Sequence, residues 1–285
     1  MRAPRLRAAL LPALALLAAG CAAEARPPRA EAPAAATWAE GGPAPELSAA
    51  FGATPGTLVV LDARTGREAR HDAERSRRRM SPFSTFKVPN SLVALETGAI
   101  PGTDYRMKWD SIRDPRTPFM PAWYQDHDMR SAMRASVVWY YKEVARRIGP
   151  ERMRGHLERI GYGNADTSGG IDRFWLASSL LISAEEQVSF LRRFHAGELF
   201  SPRATQAVKD ILVLEETPAY RLSGKTGGGS VDGHGRGWLV GYVERGGNVY
   251  FFAANVDGKD YEAIADRRHE VTRAALRELG VLPGR

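Results

Sequence analysis

The chain has 285 residues, of which 44% are hydrophobic and 26% are charged, a composition typical of a globular protein with a sizeable core. Its formal net charge is +7, and Arg2, Arg5 and Arg7 near the start contribute three of these charges. The remaining excess is too small to favour a nucleic-acid partner. The basic run at residues 75–79 is expected to be a solvated loop rather than a phosphate-binding patch.

Residues 1–20 predict an export signal, because basic residues precede an apolar run that is too short to span a bilayer permanently. Cys21 is the only cysteine, so no internal disulfide can form. Its position resembles the site at which bacterial lipoproteins are cleaved and lipidated; an ordinary signal peptide cut nearby is the alternative. Either interpretation predicts export to the periplasm, and lipid on Cys21 would add an outer-membrane anchor. Residues 21–45, rich in Ala, Pro and Glu, predict a flexible tether.

Predicted strands lie near both ends of the remaining chain. After a short helix at residues 47–51, β-branched residues predict a strand at 57–62, and a turn leads into a return strand at 67–71. Three more strands are predicted at 220–224, 237–244 and 248–256. Gly246-Gly247 predicts a hairpin between the last two strands.

Helices are predicted between and after these strands from apolar spacing and capping residues. They span residues 90–97, a stretch from Met133 to Ile148, residues 150–160, a stretch after the capping box at 183–186, a stretch from Ser201-Pro202, and residues 261–279. The expected fold class is α/β in the α+β sense, in which an antiparallel sheet is flanked by helices and carries an inserted all-helical lobe at about residues 82–185. A site is expected in the cleft between sheet and lobe.

The tetrad Ser84-Thr85-Phe86-Lys87 is the most informative segment. A serine and a lysine three residues apart on a helix point the same way, so the amine can reach the hydroxyl. A hydroxyl nucleophile beside a base is the smallest unit of acyl-transfer chemistry. Because the tetrad also occurs by chance in many helices, its interpretation depends on the rest of the chain.

Lys225-Thr226-Gly227 follows directly after the strand predicted at 220–224, and further glycines allow another chain to approach closely there. A lysine and a hydroxyl at a strand end can bind an anionic group, while free backbone N–H groups pair with an extended substrate.

Two shorter segments lie between these motifs. Ser136, in a Ser-Val-Val segment predicted on the middle helix, could relay a proton to a leaving nitrogen. The Tyr-Gly-Asn segment at residues 162–164 predicts a turn with Asn164 in the left-handed conformation.

Together these segments resemble the class D, oxacillinase-type serine β-lactamases. The matching motifs, in family order and at family-like spacing, are Ser84-Thr85-Phe86-Lys87, Ser136-Val137-Val138, Tyr162-Gly163-Asn164 and Lys225-Thr226-Gly227. Residues 171–176 and 237–241 also look like the family, and the resemblance covers about residues 46–285. The Ser-Asp-Asn loop of class A enzymes is absent from the sequence. The resemblance implies the serine β-lactamase and penicillin-binding fold, and hydrolysis of penicillin-type antibiotics that gives resistance.

The resemblance further implies that Lys87 is N6-carboxylysine, a carbamate formed from CO₂, and acts as general base for Ser84. Burial among apolar side chains would lower the pKa of Lys87 and leave the neutral amine that adds to CO₂. The indole N–H of Trp175, together with Val138, would stabilise the carbamate. No other cofactor is expected.

The family pattern assigns substrate contacts as well. Ser136 passes a proton to the ring nitrogen, and backbone N–H groups of Ser84 and Gly228 hold the oxyanion. The expected substrate-binding residues are Lys225, Thr226, Gly227, Gly228 and Arg268. Arg268 resembles the arginine that binds the substrate carboxylate, and the adjacent Arg267 is the alternative.

Three rival functions share some of these motifs: a penicillin-binding sensor that stays acylated, a peptidoglycan transpeptidase and a non-catalytic binder. Sensors sit on membrane helices, of which the sequence shows none beyond the export signal, and the compact size counts against a transpeptidase. The six histidines are scattered and Cys21 is distant from them, so no metal site is expected. The expected partner is a small-molecule β-lactam.

Overall fold

The computed structural model describes residues 47–116 and 120–284. The predicted export signal, Cys21 and the predicted tether therefore lie outside the described residues. Within them, no helix combines the length and the apolar character needed to cross a membrane.

A six-stranded antiparallel sheet forms the centre, with strand order β2-β1-β6-β5-β4-β3. The strands are β1 Gly56–Asp62, β2 Glu68–His71, β3 Val213–Glu216, β4 Arg221–Val231, β5 His234–Arg245 and β6 Asn248–Gly258. The pairing of β1 with β6 joins the two ends of the chain, as the sequence predicts. The expected antiparallel sheet closed by N- and C-terminal segments is confirmed.

Ten helices surround this sheet in the described part of the chain. They are α1 Ser48–Phe51, α2 Ala73–Arg77, α3 Lys87–Glu96, α4 Met129–Arg134, α5 Val138–Ile148, α6 Pro150–Ile160, α7 Ala184–His195, α8 Pro202–Ile211, α9 Tyr261–Ala265 and α10 Arg267–Glu278. A 3-10 turn, Phe83–Phe86, leads directly into α3. The capping box at the start of α7 is present as predicted, with Ser183 and Glu186 bonded reciprocally.

Residues that alternate along each strand supply two separate cores, because successive side chains point to opposite faces of a sheet. On one face, Val59, Val240 and Ala253 pack with the helices between β2 and β3. On the other face, Leu58 and Ala254 pack with α1, α9 and α10. The site described below lies at the side of the sheet that faces the first group of helices.

Two predicted helices are each divided in the structure. The stretch from Met133 to Ile148 was expected to be continuous, but Ser136 adopts φ 54°, in the left-handed region, and separates α4 from α5. The terminal helix is likewise divided at Asp266 into α9 and α10. Ile264 of α9 covers glycines at the end of the sheet, whereas α10 packs against α1.

One further expectation is wrong, and one strand was not predicted. Residues 75–79 are not simply a solvated loop, because α2 includes Arg75, which is buried and has its guanidinium 2.8 Å from the Asp257 carboxylate. Strand β3 was not predicted, since its four residues include two glutamates and lie at the sheet edge with little apolar alternation.

Candidate active site

Ser84 and Lys87 face one another at the junction of the 3-10 turn and α3. The Lys87 Nζ donates a hydrogen bond to the Ser84 Oγ at 2.6 Å. Lys87 is completely buried, whereas Ser84 keeps 9% of its surface exposed and lines a pocket. The structure therefore brings a reachable hydroxyl and a dry amine together, which is the arrangement that nucleophilic catalysis requires.

The surroundings of Lys87 favour its neutral form. Burial lowers the pKa of Lys87 well below its ordinary value, and the positive charge of Lys225 lowers it further. No salt bridge within the described residues involves Lys87, and its Nζ lies 5.4 Å from the centroid of the Tyr141 ring. A neutral lysine amine can accept a proton or add to an electrophile such as CO₂.

Ser136 occupies the bend between α4 and α5 rather than the middle of a helix, which corrects the sequence prediction. Its left-handed backbone turns the hydroxyl toward β4, where the Lys225 Nζ donates a hydrogen bond to the Ser136 Oγ at 2.9 Å. Val138, the first residue of α5, lines the same pocket as Ser84 and Ser136.

Lys225-Thr226-Gly227 lies within β4 and not after its end, which is a second correction. β3 pairs with β4 only as far as Ser223, so the motif sits where this edge of the sheet opens toward the helices. Burial lowers the pKa of Lys225 to about 7, and the Arg268 guanidinium acts in the same direction.

The glycines of β4 allow the turn that carries Ser84 to approach the strand. A Cβ on Gly227 would lie 2.6 Å from the carbonyl oxygen of Pro82, and one on Gly229 would lie 2.3 Å from the Phe83 ring. A Cβ on Gly228 would meet the Arg268 guanidinium at 2.7 Å. A larger residue would therefore separate the strand from the nucleophile.

Arg268 and Arg267 have different surroundings. Arg268 is buried, lines the pocket, and donates from Nη1 to the Gly227 carbonyl oxygen at 2.6 Å. Its Nε is buried without a hydrogen-bond partner among the described residues. Arg267 instead donates to the Thr54 hydroxyl and to the Phe51 carbonyl oxygen. Of the two arginines, Arg268 is thus the one placed beside Ser84.

Trp175 lies in an aromatic cluster behind the nucleophile. Its ring is fully buried and stacks on Phe86 with a centroid distance of 5.2 Å. The Trp175 backbone is fixed to the segment before Ser84, because the Ser81 hydroxyl donates to the Trp175 carbonyl oxygen at 3.0 Å. Its indole Nε1, however, is buried with no hydrogen-bond partner in the described part of the protein. A buried donor of this kind lowers the stability of the protein unless an acceptor forms a hydrogen bond with it.

Residues 162–164 organise the loop that carries Trp175. The positive φ angles fall on Gly163 and Ala165, so the prediction of a left-handed Asn164 is wrong. The Asn164 side chain instead bridges the loop, donating to the Ser179 carbonyl oxygen at 2.8 Å and accepting from the Leu181 N–H at 2.9 Å. This amide is therefore used to hold the loop closed.

The pocket at Ser84 has a volume of about 290 Å³. Besides predicted residues and Leu176 of the family-like segment 171–176, its walls include two large side chains that the sequence analysis did not assign, Trp123 and Tyr261. Trp123 is held by a hydrogen bond from its Nε1 to the Ala135 carbonyl oxygen at 2.9 Å. No local pattern in the sequence marks these two residues, which come from separate segments. Across residues 47–116 and 120–284, no group of three or more His, Cys, Asp or Glu residues could hold a metal ion.

Comparisons with known proteins agree with this geometry. The family model of the penicillin-binding protein transpeptidase domain matches residues 56–277. The protein described as probable beta-lactamase YbxI of Bacillus subtilis (strain 168) is 39% identical over 214 residues, 75% of this chain and 78% of its own length. Beta-lactamase OXA-2 of Salmonella typhimurium is 39% identical over 232 residues, 80% and 81% of the two chains. A crystal structure of the class D beta-lactamase YbXI from Nostoc has a TM-score of 0.77 and 42% identity, and the match covers 83% of this chain and 99% of that one.

The fold and the matched domain show that this protein is a member of the large group that includes penicillin-binding transpeptidases and serine β-lactamases. Within that group, the sequence relatives and structural neighbours agree on one family. The chain belongs to the class D β-lactamases and is a serine hydrolase of that class. The fold class and the resemblance inferred from the sequence are confirmed.

Proposed function

We propose that this protein hydrolyses the lactam amide of penicillin-type antibiotics through an acyl-enzyme on Ser84, with Lys87 acting as general base in carbamylated form. The observation that carries the proposal is the 2.6 Å contact between the Ser84 hydroxyl and a completely buried lysine amine. Destruction of the drug in the periplasm would give the cell resistance.

The residues around Lys87 fit a carbamate. Burial lowers the pKa of Lys87 and so favours the neutral amine, which adds to CO₂ with release of one proton. The unpartnered indole N–H of Trp175 is a donor suited to the new anion, and Val138 lines the pocket beside Ser84 and is the second residue assigned to the carbamate. When present, the carbamate would supply a carboxylate base for the Ser84 hydroxyl and for the water that releases the acyl group.

The remaining residues of the pocket supply proton transfer and binding. Lys225 holds the Ser136 hydroxyl at 2.9 Å, in position to pass a proton to the lactam nitrogen as the ring opens. Backbone N–H groups of Ser84 and Gly228 are the proposed oxyanion donors, and removal of one such donor typically lowers the rate by about 10²–10³.

The substrate carboxylate is proposed to bind at the edge of β4. Thr226, Gly227, Gly228 and Arg268 line one wall of the pocket, and the buried Arg268 guanidinium provides a positive charge for an anionic group. Tyr261 lies under that guanidinium, 5.9 Å from ring centroid to Cζ, and restricts its position.

Turnover of a chromogenic cephalosporin, measured with and without added bicarbonate, tests this proposal. The Lys87→Ala variant should show no turnover, because it lacks both the base and the amine that adds to CO₂, whereas bicarbonate should not lower the rate of the intact enzyme. Normal hydrolysis of penicillins by Lys87→Ala would contradict the mechanism. One stoichiometric burst from the intact protein would instead indicate acylation without release.

We further propose that residues 1–20 direct export to the periplasm and that Cys21 carries lipid. The basic start, the apolar run and the position of the single cysteine support this proposal. Metabolic labelling with a radioactive fatty acid tests it: the intact chain should be labelled and the Cys21→Ala chain should not.

A further inference from the structure

A second cavity, of about 410 Å³, lies next to the active-site pocket and shares Thr226 with it. We call it the accessory cavity. Its walls come from α4, the C-terminal end of α8 with β3, the middle of β4, and the start of α10. The lining combines apolar side chains such as Ile211, Val213 and Leu214 with the basic groups of Arg130, Arg134, Lys225 and His269. Its volume falls in the range of small-molecule sites, roughly 300–1,000 Å³.

The lining of the accessory cavity has more basic than acidic side chains, and the Asp128 carboxylate outside the lining interacts electrostatically with Arg130. Arg130 and Arg134 are exposed one helical turn apart on α4, and neither side chain forms a salt bridge or hydrogen bond within the described residues. Like charges at this spacing repel one another. Asp210 is the one acidic side chain of the lining, and it accepts a hydrogen bond from Gln206. An anion in this cavity would relieve the repulsion.

Lys225 connects the accessory cavity to the reaction. The residue lines this cavity, and its Nζ holds the Ser136 hydroxyl of the active site. Charged and titratable groups that act on Lys225 or share its cavity come from four helices: Lys87 of α3, Arg130 and Arg134 of α4, Asp210 of α8, and Arg268 and His269 of α10. Burial lowers the pKa of Lys225 to about 7, the Arg268 guanidinium acts in the same direction, and all the groups named except Asp210 are basic.

We propose that the accessory cavity binds a small organic carboxylate and that the bound anion keeps Lys225 charged and bonded to Ser136. The two exposed arginines of the lining suit the carboxylate, and the apolar side chains of the lining suit an apolar body. The regulatory half of this inference rests on the proposed role of Lys225 in turnover, whereas the binding half does not.

Binding is measured first, by calorimetric titration of the intact protein with benzoate and with its neutral analogue benzamide. Benzoate should bind and benzamide should not. The Arg130→Ala/Arg134→Ala double variant should bind benzoate about tenfold more weakly, as expected for two partly hydrated ion pairs. Arg154→Ala removes an exposed arginine of α6 outside the cavity and should bind benzoate normally. Binding that the double variant leaves intact, or that only Arg268→Ala removes, would overturn the proposal.

Turnover then tests the coupling through the pH profile of kcat/KM. An anion near Lys225 raises its pKa, so benzoate should increase kcat/KM at pH values above about 8, by up to tenfold per unit of pKa shift. Competition at the active site can only lower the rate, so activation distinguishes the two sites. The double variant should lose this activation and Arg154→Ala should keep it. Benzoate binding without activation of a protein that does turn over β-lactams would overturn the coupling. Absence of all turnover would instead contradict the proposed function. The benzoate titrations alone would then show whether the accessory cavity binds a carboxylate.

Discussion

Replacement of Trp175 by phenylalanine isolates the group that we assign to the carbamate. The substitution removes the indole Nε1–H but keeps an aromatic ring against Phe86. In the structure this N–H is buried and donates to nothing among the described residues, so the change breaks no existing hydrogen bond. Any loss of activity that is specific to this N–H must therefore reflect a hydrogen bond to an acceptor that is added to the protein afterwards.

The expected magnitude follows from the chemistry of that acceptor. A hydrogen bond to a charged group contributes about 1.5–3 kcal/mol. If Trp175 donates to the carbamate of Lys87, its loss should weaken CO₂ addition by roughly 10- to 150-fold. The bicarbonate concentration that restores half of the maximal rate should rise by that factor, while the rate at saturating bicarbonate changes much less.

The assay records initial rates of cephalosporin hydrolysis in degassed buffer across a bicarbonate series at constant pH. Trp238→Phe is the matched control, because Trp238 is also fully buried and loses the same volume. Its Nε1 already donates to the Ser81 carbonyl oxygen at 3.0 Å, so this control should be less stable than Trp175→Phe by about 1 kcal/mol. It should nevertheless need no more bicarbonate than the wild type.

Two results would refute this reasoning. If Trp175→Phe and the wild type reach half-maximal rate at the same bicarbonate concentration, the indole is not the donor. If Trp238→Phe shows an equal shift, lost packing rather than the lost N–H explains the effect.

Three other substitutions test separate parts of the site. The pKa of Lys225 is about 7 in the folded protein and near 10.5 in the unfolded chain, so the unfolded state binds more protons between these pH values. The unfolding free energy of the wild type should therefore rise with pH across this range relative to that of Lys225→Met, by up to about 1.4 kcal/mol per pH unit. Chemical denaturation at a series of pH values measures it. Gly227→Ala should cost about 1–3 kcal/mol of stability and most activity because there is no room for its Cβ, whereas Gly155→Ala, in open space on α6, should stabilise by about 0.5–1 kcal/mol. Arg268→Ala should raise KM by roughly 10- to 100-fold with a smaller effect on kcat, while Arg267→Ala, away from the pocket, should leave KM unchanged.

Local sequence patterns predicted those parts of the site that depend on short spacing. Ser84 and Lys87 meet because three residues bring side chains to one face of a helical turn. The break at Ser136 could not be read in this way. The apolar residues Met133 and Tyr141 keep helical spacing on either side of the break. A single left-handed residue between two helices therefore leaves the apolar periodicity of the sequence unchanged.

Strand β4 is longer than the sequence predicts. The predicted strand covers only residues 220–224, and the glycines that follow predict a close approach by another chain. Here the strand continues to Val231, since the missing side chains admit the turn of Pro82 and Phe83 against its face. The segment that makes this close approach lies more than a hundred residues earlier in the chain, so the local pattern could not identify it. The walls formed by Trp123 and Tyr261 depend on tertiary contacts in the same way.

The charges of the site explain why it should take up two anions. Lys87, Lys225 and Arg268 are all buried, and none of them forms a salt bridge within the part of the chain that the structure describes. Burial of bases without counter-ions is unfavourable, and the lowered pKa values of Lys87 and Lys225 express that cost. Carbamylation would turn the innermost of these groups from a base into an anion, and the substrate carboxylate would bring a second negative charge to Arg268. The same excess of positive charge would thus favour both formation of the proposed carbamate base and binding of a drug that Ser84 attacks.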